Sequence, residues 1–265
     1  MLVSSALVVG LVVPAVSAAA AVSAAAASAP VSAAVAAVPT SLLDYQSGNF
    51  SQWSEQQDLR PAQQAIVTTP ARAGYPRTAR FTVAPGDYTN GGTSSERSEV
   101  MASVAKTGNP TEGQTQWFSW SSFFPTGTHV DPGGWLLFTQ WHQSGNSGSP
   151  NVAFELAKTT PVQVIVRVRG QSASSPWTTE QLLGALPINN WVDFTVGIKW
   201  SSSPGVGHVT VKMNGVKVMD IPAATLYTGM SAYLKQGIYR MSSPQTQTIY
   251  DTATRIGATE ASVHL

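Results

Sequence analysis

The segment Tyr233–Arg240, with the sequence YLKQGIYR, decides the fold. Side chains alternate between the two faces of a β-strand, so this octapeptide divides into two sets. Leu234 and Ile238 share one face and can pack on a core, whereas the two tyrosines and the lysine share the other. Gly237 leaves a gap where a ligand could approach the backbone closely. Gln236 falls on the apolar side, which predicts either a bulge at Gly237 or a buried partner for its amide.

Strand-like runs continue outward from this segment. From Leu42 onwards, short stretches rich in Val, Ile, Thr and aromatic residues alternate with Gly, Pro, Asn and Ser clusters, giving about a dozen strands. Asn214-Gly215 between two such runs predicts a type I′ hairpin. Only Trp177–Leu183 and Ala223–Leu226 look helical. We therefore expect an all-β fold, a two-sheet β-jelly-roll sandwich with a concave substrate groove.

The start of the chain has a different composition. Residues 1–43 contain no Asp, Glu, Lys or Arg, and the apolar run 6–13 is too short to span a membrane. We expect a signal peptide over 1–18, an Ala/Ser/Pro-rich disordered linker over 19–40 and one domain over 41–265. The absence of an early Lys or Arg leaves two alternatives open, a disordered Ala-rich tail or a start upstream of Met1. Secretion from a bacterium, with no membrane attachment of the mature protein, is the expectation.

The overall composition excludes some kinds of site and argues against one class of partner. The 265 residues include no cysteine, which excludes disulfides and thiolate metal sites. A net charge of +1 argues against a nucleic-acid partner, so any anionic ligand must be held by a local cluster. We expect a monomer.

Three polar faces could form such a cluster. Gln140 and His142 share a strand face at a spacing of about 7 Å. Arg97 and Glu99 share a face in the segment ERSEV. The strand 162–169 carries Gln163, Arg167 and Arg169 on the face opposite its valines. The simpler readings are a half-buried imidazole, a surface ion pair and a solvated strand face, and each remains open for its segment alone.

Taken together, the motifs RSEV (97–100), QWH (140–142) and YLKQGIYR (233–240) resemble the three signature strands of the jelly-roll polysaccharide lyases. That group includes alginate lyases, with R(S/T)EL, Q(I/V)H and YFKAGxY motifs, and the glucuronan and heparin lyase-like enzymes. Residues 191–218 also resemble the concanavalin A-like sandwich of heparin lyase I type. The resemblance covers most of 41–265. Gln236, Trp141 and Met101 depart from the alginate-lyase pattern, which favours the glucuronan or heparin lyase-like branch.

The resemblance implies β-elimination on an acidic, uronate-containing polysaccharide. Arg97 and Gln140 would neutralise the uronate carboxylate so that the C5 proton can leave. His142 is the candidate base and Tyr239 the candidate acid for the C4 oxygen, with Lys235 stabilising the phenolate. Where the C5 proton and C4 oxygen lie on the same side of the sugar, Tyr239 could serve as both, and the sequence does not choose between these cases. The candidate substrate-binding residues are Tyr233, Glu99, Lys235, Arg167 and Arg169.

Other functions remain as alternatives. A non-catalytic carbohydrate-binding, lectin-like module would suit the fold and the many aromatic residues. A retaining glycoside hydrolase needs two carboxylates on one face, but Glu96 and Glu99 have opposite parity. No cofactor is required. Asp131 and Asp251 could contribute to a structural calcium site, although roles in turns and caps explain them more simply.

Overall fold

The computed structural model describes Met1 and residues 41–88, 92–145 and 148–265. Apart from Met1, the predicted signal peptide (1–18) and linker (19–40) lie outside this range. The described residues form sixteen β-strands in two antiparallel sheets, which confirms the predicted jelly-roll sandwich. Helical structure in this range is limited to two 3-10 turns, Pro61–Gln63 and Glu260–Val263. None of its helices has the length and apolar character needed to cross a membrane.

One sheet contains nine strands. Its main order is β13-β12-β11-β6-β15-β4-β3, with β16 also beside β6 and β1 beside β16. The strands are β1 (Ser41–Leu43), β3 (Gln64–Val67), β4 (Thr78–Val83), β6 (Thr115–Phe123), β11 (Trp191–Lys199), β12 (His208–Met213), β13 (Val216–Pro222), β15 (Gln247–Asp251) and β16 (Thr254–Gly257).

The other sheet contains seven strands in the order β10-β9-β8-β7-β14-β5-β2. The strands are β2 (Glu55–Gln57), β5 (Ser95–Met101), β7 (Leu136–Gln143), β8 (Val152–Ala157), β9 (Gln163–Gln171), β10 (Pro176–Ala185) and β14 (Ala232–Met241). All three signature motifs lie in this sheet, on β5, β7 and β14.

An aromatic core joins the sheets and sets which side chains face outward. Trp120 and Phe194 of the nine-stranded sheet stack with ring centroids 5.3 Å apart. Trp141 and Phe154 project from the seven-stranded sheet and both meet Trp120 edge-on, with ring centroids 6.1 and 5.5 Å away. All four side chains are fully buried. Because neighbours along a strand point to opposite faces, burial of Trp141 turns the residues on either side of it to the outer face.

A buried partner explains the position of Gln236. Gln236 points to the core side, as Leu234 and Ile238 do, and its Oε1 accepts a hydrogen bond from Thr254 Oγ1 at 2.6 Å. The pairing of β14 with β7 also shifts between Gln236 and Tyr239, which places one extra residue in β14. The bulge predicted as the other explanation is therefore present, but it leaves Gln236 on the core side.

Gly237 is required by the neighbouring strand. Its φ of +124° is one that residues with a side chain rarely adopt. A Cβ there would collide with the Ser98 carbonyl oxygen and lie 3.0 Å from the Phe81 ring. Close packing of β5 and the core therefore explains the glycine, whereas the sequence suggested a gap for an approaching ligand.

The two helical predictions are wrong. Trp177–Leu183 belongs to β10, which pairs with β9 along its length. Ala223–Leu226 is irregular, and its backbone amides bond to the carbonyls of Gly207 and Ser201 instead of to each other. The predicted hairpin is confirmed, because Asn214 and Gly215 have φ values of +52° and +78° between β12 and β13.

Candidate active site

The three signature strands are neighbours in the seven-stranded sheet. Strand β14 lies between β5 and β7 and pairs with both in antiparallel register. Tyr239 lies opposite Arg97, and Lys235 lies opposite Gln140. Tyr233 lies opposite His142. Residues paired across a sheet share a face, so the polar positions of all three motifs project to the side away from the core.

A cleft of about 730 Å³ opens on this face. The four candidate catalytic residues, Arg97, Gln140, His142 and Tyr239, all contribute to its wall. Two of the candidate binding residues, Arg167 and Arg169, line it as well. The remaining candidates, Tyr233, Glu99 and Lys235, are absent from the described residues that line the cleft. The structure thus places the proton-transfer candidates and the three arginines on one surface. Glu99 and Lys235 are buried behind it, and Tyr233 is half-buried beside His142.

Glu99 is the centre of a buried polar cluster. One carboxylate oxygen, Oε1, accepts a hydrogen bond from Gln140 Nε2 at 2.6 Å. The other, Oε2, lies 3.0 Å from Arg97 Nε and 3.5 Å from Lys235 Nζ. The side chains of Glu99 and Lys235 are only 1% and 4% exposed. Burial away from water lowers the pKa of Lys235, and the Glu99 carboxylate opposes that shift.

Tyr239 has a cation and an indole against its ring. The Arg97 guanidinium carbon lies 4.0 Å from the ring centroid. Trp135 meets the ring edge-on with centroids 4.7 Å apart. The guanidinium can stabilise negative charge that develops on the phenol during proton transfer. The sequence assigned this task to Lys235, but Lys235 is directed to Glu99, and the cation on Tyr239 is Arg97.

Two contacts of His142 bear on its tautomer. Its Nδ1 lies 3.1 Å from the backbone carbonyl oxygen of Gln143 and 3.2 Å from the Tyr233 hydroxyl. The hydroxyl can donate or accept, whereas the carbonyl oxygen only accepts, so we assign the proton to Nδ1 and the lone pair to Nε2. Burial lowers the pKa of His142 below its ordinary 6.5. The ring is therefore a neutral base around pH 7.

Arg167 and Arg169 occupy different electrostatic settings on β9. Arg167 forms ion pairs with Glu155 of β8, at 3.1 Å, and with Glu180 of β10. Arg169 also lines the cleft and forms no ion pair with any described residue. Two carboxylates already compensate Arg167, whereas the charge of Arg169 is available to an anionic ligand.

Sequence reasoning missed Trp135 and Glu155 among the residues that line the cleft. Trp135 precedes β7 and holds the Tyr239 ring, and Glu155 lies beside Arg167 with its pKa raised by burial. Alternation in β8 could have identified Glu155, because Val152, Phe154 and Leu156 all face the core. No comparable signal marks Trp135, whose contact depends on how the turn after Asp131 folds.

The two glutamates of the first motif face opposite sides of the sheet, as their parity predicted. Glu96 forms a buried ion pair with Arg240 at 2.8 Å, whereas Glu99 faces the cleft residues. These two residues therefore do not form the carboxylate pair of a retaining hydrolase.

The predicted calcium ligands have other partners. Asp251 is fully buried and accepts a hydrogen bond from Ser122 Oγ at 2.6 Å. Asp131 lies 3.3 Å from His129 Nε2 in the turn before β7. No group of three or more His, Cys, Asp or Glu side chains in the described part of the chain could hold a metal ion.

Comparisons with known proteins identify a family and a fold. The sequence model of the family described as "Polysaccharide lyase" matches residues 45–254. Among solved structures, the chain is similar to endo-beta-1,4-glucuronan lyase from the fungus Trichoderma reesei, with a TM-score of 0.68 and 17% identity. That match covers 85% of this chain and 98% of the fungal one. A search of the curated proteins found no match.

Two alginate lyases also share the fold. One is a mutant of alginate lyase Aly36B in complex with an alginate trisaccharide, with a TM-score of 0.55, 11% identity and coverage of 84% of this chain and 99% of that one. The other is alginate lyase vAL-1 from Chlorella virus, with a TM-score of 0.53, 13% identity and coverage of 83% and 100%. At these identities the structural likeness concerns the fold.

Proposed function

This chain belongs to the polysaccharide lyase family, and we propose that it cleaves a uronate-containing polysaccharide by β-elimination in the cleft of the seven-stranded sheet. The observation that carries the proposal is the presence of Arg97, Gln140, His142 and Tyr239 on the wall of one cleft. These four side chains supply the charge stabilisation, base and acid that the elimination needs.

Charge stabilisation falls to Arg97 and Gln140. Removing the C5 proton places negative charge on the uronate carboxylate and the adjoining carbon. A guanidinium and an amide N–H aimed at that carboxylate lower the free energy of the enolate-like state more than that of the bound substrate. The cluster of Arg97, Lys235 and Glu99 has a formal net charge of +1, which matches a single substrate carboxylate.

Proton transfer falls to His142 and Tyr239. His142 takes the C5 proton at Nε2, and its Nδ1–H stays bonded to the Gln143 carbonyl oxygen. Tyr239 donates its hydroxyl proton to the C4 oxygen as the C4–O bond breaks and the C4–C5 double bond forms. The Arg97 guanidinium over the Tyr239 ring stabilises the phenolate left behind. This division of roles applies where the C5 proton and C4 oxygen lie on opposite faces of the sugar. In glucuronate they lie on the same face, so Tyr239 acts in its phenolate form beside Arg97, takes the C5 proton and passes it to the C4 oxygen as the C4–O bond breaks.

We propose a glucuronate polymer as the substrate. The departures of Gln236, Trp141 and Met101 from the alginate-lyase pattern support this choice. The likeness to the glucuronan lyase of Trichoderma reesei points the same way. Export of the enzyme is part of the proposal, supported by the uncharged, apolar composition of residues 1–43.

The test is a panel of polymers, namely glucuronan, alginate, heparin and carboxyl-reduced glucuronan. We expect ultraviolet absorbance from the unsaturated product with glucuronan and none with its carboxyl-reduced form, because that form lacks the acidifying carboxylate. New reducing ends without ultraviolet absorbance would indicate hydrolysis, and binding without products would indicate a carbohydrate-binding module. Either result would contradict the proposed function.

A further inference from the structure

The buried carboxylate of Glu99 contacts both groups that would neutralise the substrate. Its two oxygens lie 2.6 Å from Gln140 Nε2 and 3.0 Å from Arg97 Nε, and the second oxygen also lies 3.5 Å from Lys235 Nζ. Glu99 and Lys235 are nearly inaccessible to solvent and are not among the described residues that line the cleft. Arg97 and Gln140 do line it, with 13% of the Arg97 side chain and 1% of Gln140 exposed. The elimination just described uses neither buried group directly.

We propose that Glu99 and Lys235 form a positioning pair that holds Arg97 and Gln140 on the uronate carboxylate without touching the substrate. The inference rests on the proposed function, because it assigns the carboxylate of that substrate to these two groups. It also changes the roles expected from the sequence, where Glu99 and Lys235 were candidate substrate contacts.

The first task of the pair is to orient the Gln140 amide. A carboxylate only accepts hydrogen bonds, so the atom of Gln140 that contacts Glu99 must be the NH₂ group. That group has two hydrogens, and one of them is donated in the hydrogen bond to Glu99. The second hydrogen remains for the substrate carboxylate. If the amide were reversed, its carbonyl oxygen would face two anions, which is unfavourable.

The second task is to keep positive charge on the cleft. Glu99 fixes the Arg97 guanidinium, but an ion pair of these two residues alone is neutral. Lys235 adds a second positive charge on the same carboxylate oxygen, so the trio retains a net charge of +1. The net charge of the trio matters more here than it would on the surface, because charges shielded from water are screened less. Lys235 therefore compensates Glu99 and leaves Arg97 effective toward the substrate.

A charge-matched variant set tests the inference. The variants are Glu99→Gln, Lys235→Met, Lys235→Arg and the double variant Glu99→Gln/Lys235→Met, with Lys199→Met as control. Lys199 is exposed at the end of β11 in the other sheet, so its loss removes the same charge far from the cleft. Circular dichroism and thermal unfolding establish the folded fraction, and kcat and KM are measured on the polymer that the wild type cleaves.

We expect Lys235→Met to lower kcat/KM by about tenfold or more, mainly through kcat, because the neutralised charge develops in the transition state. Glu99→Gln should cause a loss of similar size, because the Lys235 ammonium, left without its carboxylate, would repel Arg97 and compete with Gln140 for the remaining amide oxygen. The double variant should recover to within about threefold of the wild type, since it restores the net charge of +1 and leaves an amide oxygen to accept from Gln140. Lys235→Arg should retain activity, and Lys199→Met should not change it.

Additive losses in the double variant, or a loss confined to KM, would overturn the positioning role while leaving the lyase function intact. A wild type that cleaves no uronate polymer would overturn the proposed function itself, and this inference with it.

Discussion

Replacing Asp251 by Asn should make the protein more stable, and increasingly so as the pH rises. Asp251 is fully buried at the end of β15. Its Oδ1 accepts a hydrogen bond from the Ser122 hydroxyl, and its Oδ2 has no hydrogen-bond partner among the described residues. A buried carboxylate with one partner is poorly compensated, whereas a neutral amide keeps the bond from Ser122 and carries no charge.

The size of the effect follows from the pKa. Burial raises the pKa of Asp251 from its ordinary 3.8 to about 7. Because the folded state holds the proton more tightly than the unfolded state, the stabilisation is complete below the unfolded pKa and is lost as the pH rises through about 7. At about 1.4 kcal/mol per pKa unit, the full loss is about 4 kcal/mol. Most of it, about 2–3 kcal/mol, should fall between about pH 5 and pH 8.

Urea unfolding of wild type and Asp251→Asn across this pH range measures the difference directly. The gap between the two free energies of unfolding should widen with pH and level off above about pH 8. Asp44→Asn, at a partly exposed position, is the control for the loss of one carboxylate. A constant gap for Asp251→Asn, or one that narrows with pH, would refute the assignment of a buried, undercompensated carboxyl.

Three further predictions concern the cleft. The His142 imidazole should titrate below 6.5 by NMR, because burial lowers its pKa, and a midpoint at or above 6.5 would contradict that effect of burial. Gly237→Ala should lower the free energy of unfolding by more than Gly74→Ala, because Gly74 shares the positive φ but has open space around it. Backbone strain alone costs about 1–3 kcal/mol in both variants. Equal losses by chemical unfolding would count against the packing explanation. Arg169→Met should raise KM more than Arg167→Met does, and should weaken the salt dependence of KM more, because two carboxylates already compensate Arg167. Equal effects of the two variants would contradict this view.

Alternation alone places the candidate groups on the correct faces of their strands. It assigned Gln140 and His142 to one face and Trp141 to the core, and the structure agrees. It did not show that β5, β14 and β7 are neighbours, because strand order depends on contacts far apart in the sequence. That expectation came from the resemblance of the three motifs to a known family.

The contacts that the sequence could not predict are those between strands. Glu99 lies 41 positions from Gln140 and 136 from Lys235, and no local pattern brings such residues together. The neighbours of Arg167 likewise come from β8 and β10. The helical prediction for Trp177–Leu183 failed because pairing with β9 outweighs the local preference of that short segment.

The central claim is that Tyr239 transfers a proton in an elimination reaction, and a single hydroxyl deletion tests it. The measurement is the rate of ultraviolet absorbance from the polymer that the wild type cleaves, for Tyr239→Phe and for Tyr250→Phe. Tyr250 lies on β15 in the opposite sheet, so its variant makes the same chemical change away from the cleft. We predict a loss of about 10²–10⁴-fold in kcat for Tyr239→Phe and wild-type turnover for Tyr250→Phe. Full turnover by Tyr239→Phe would contradict the account.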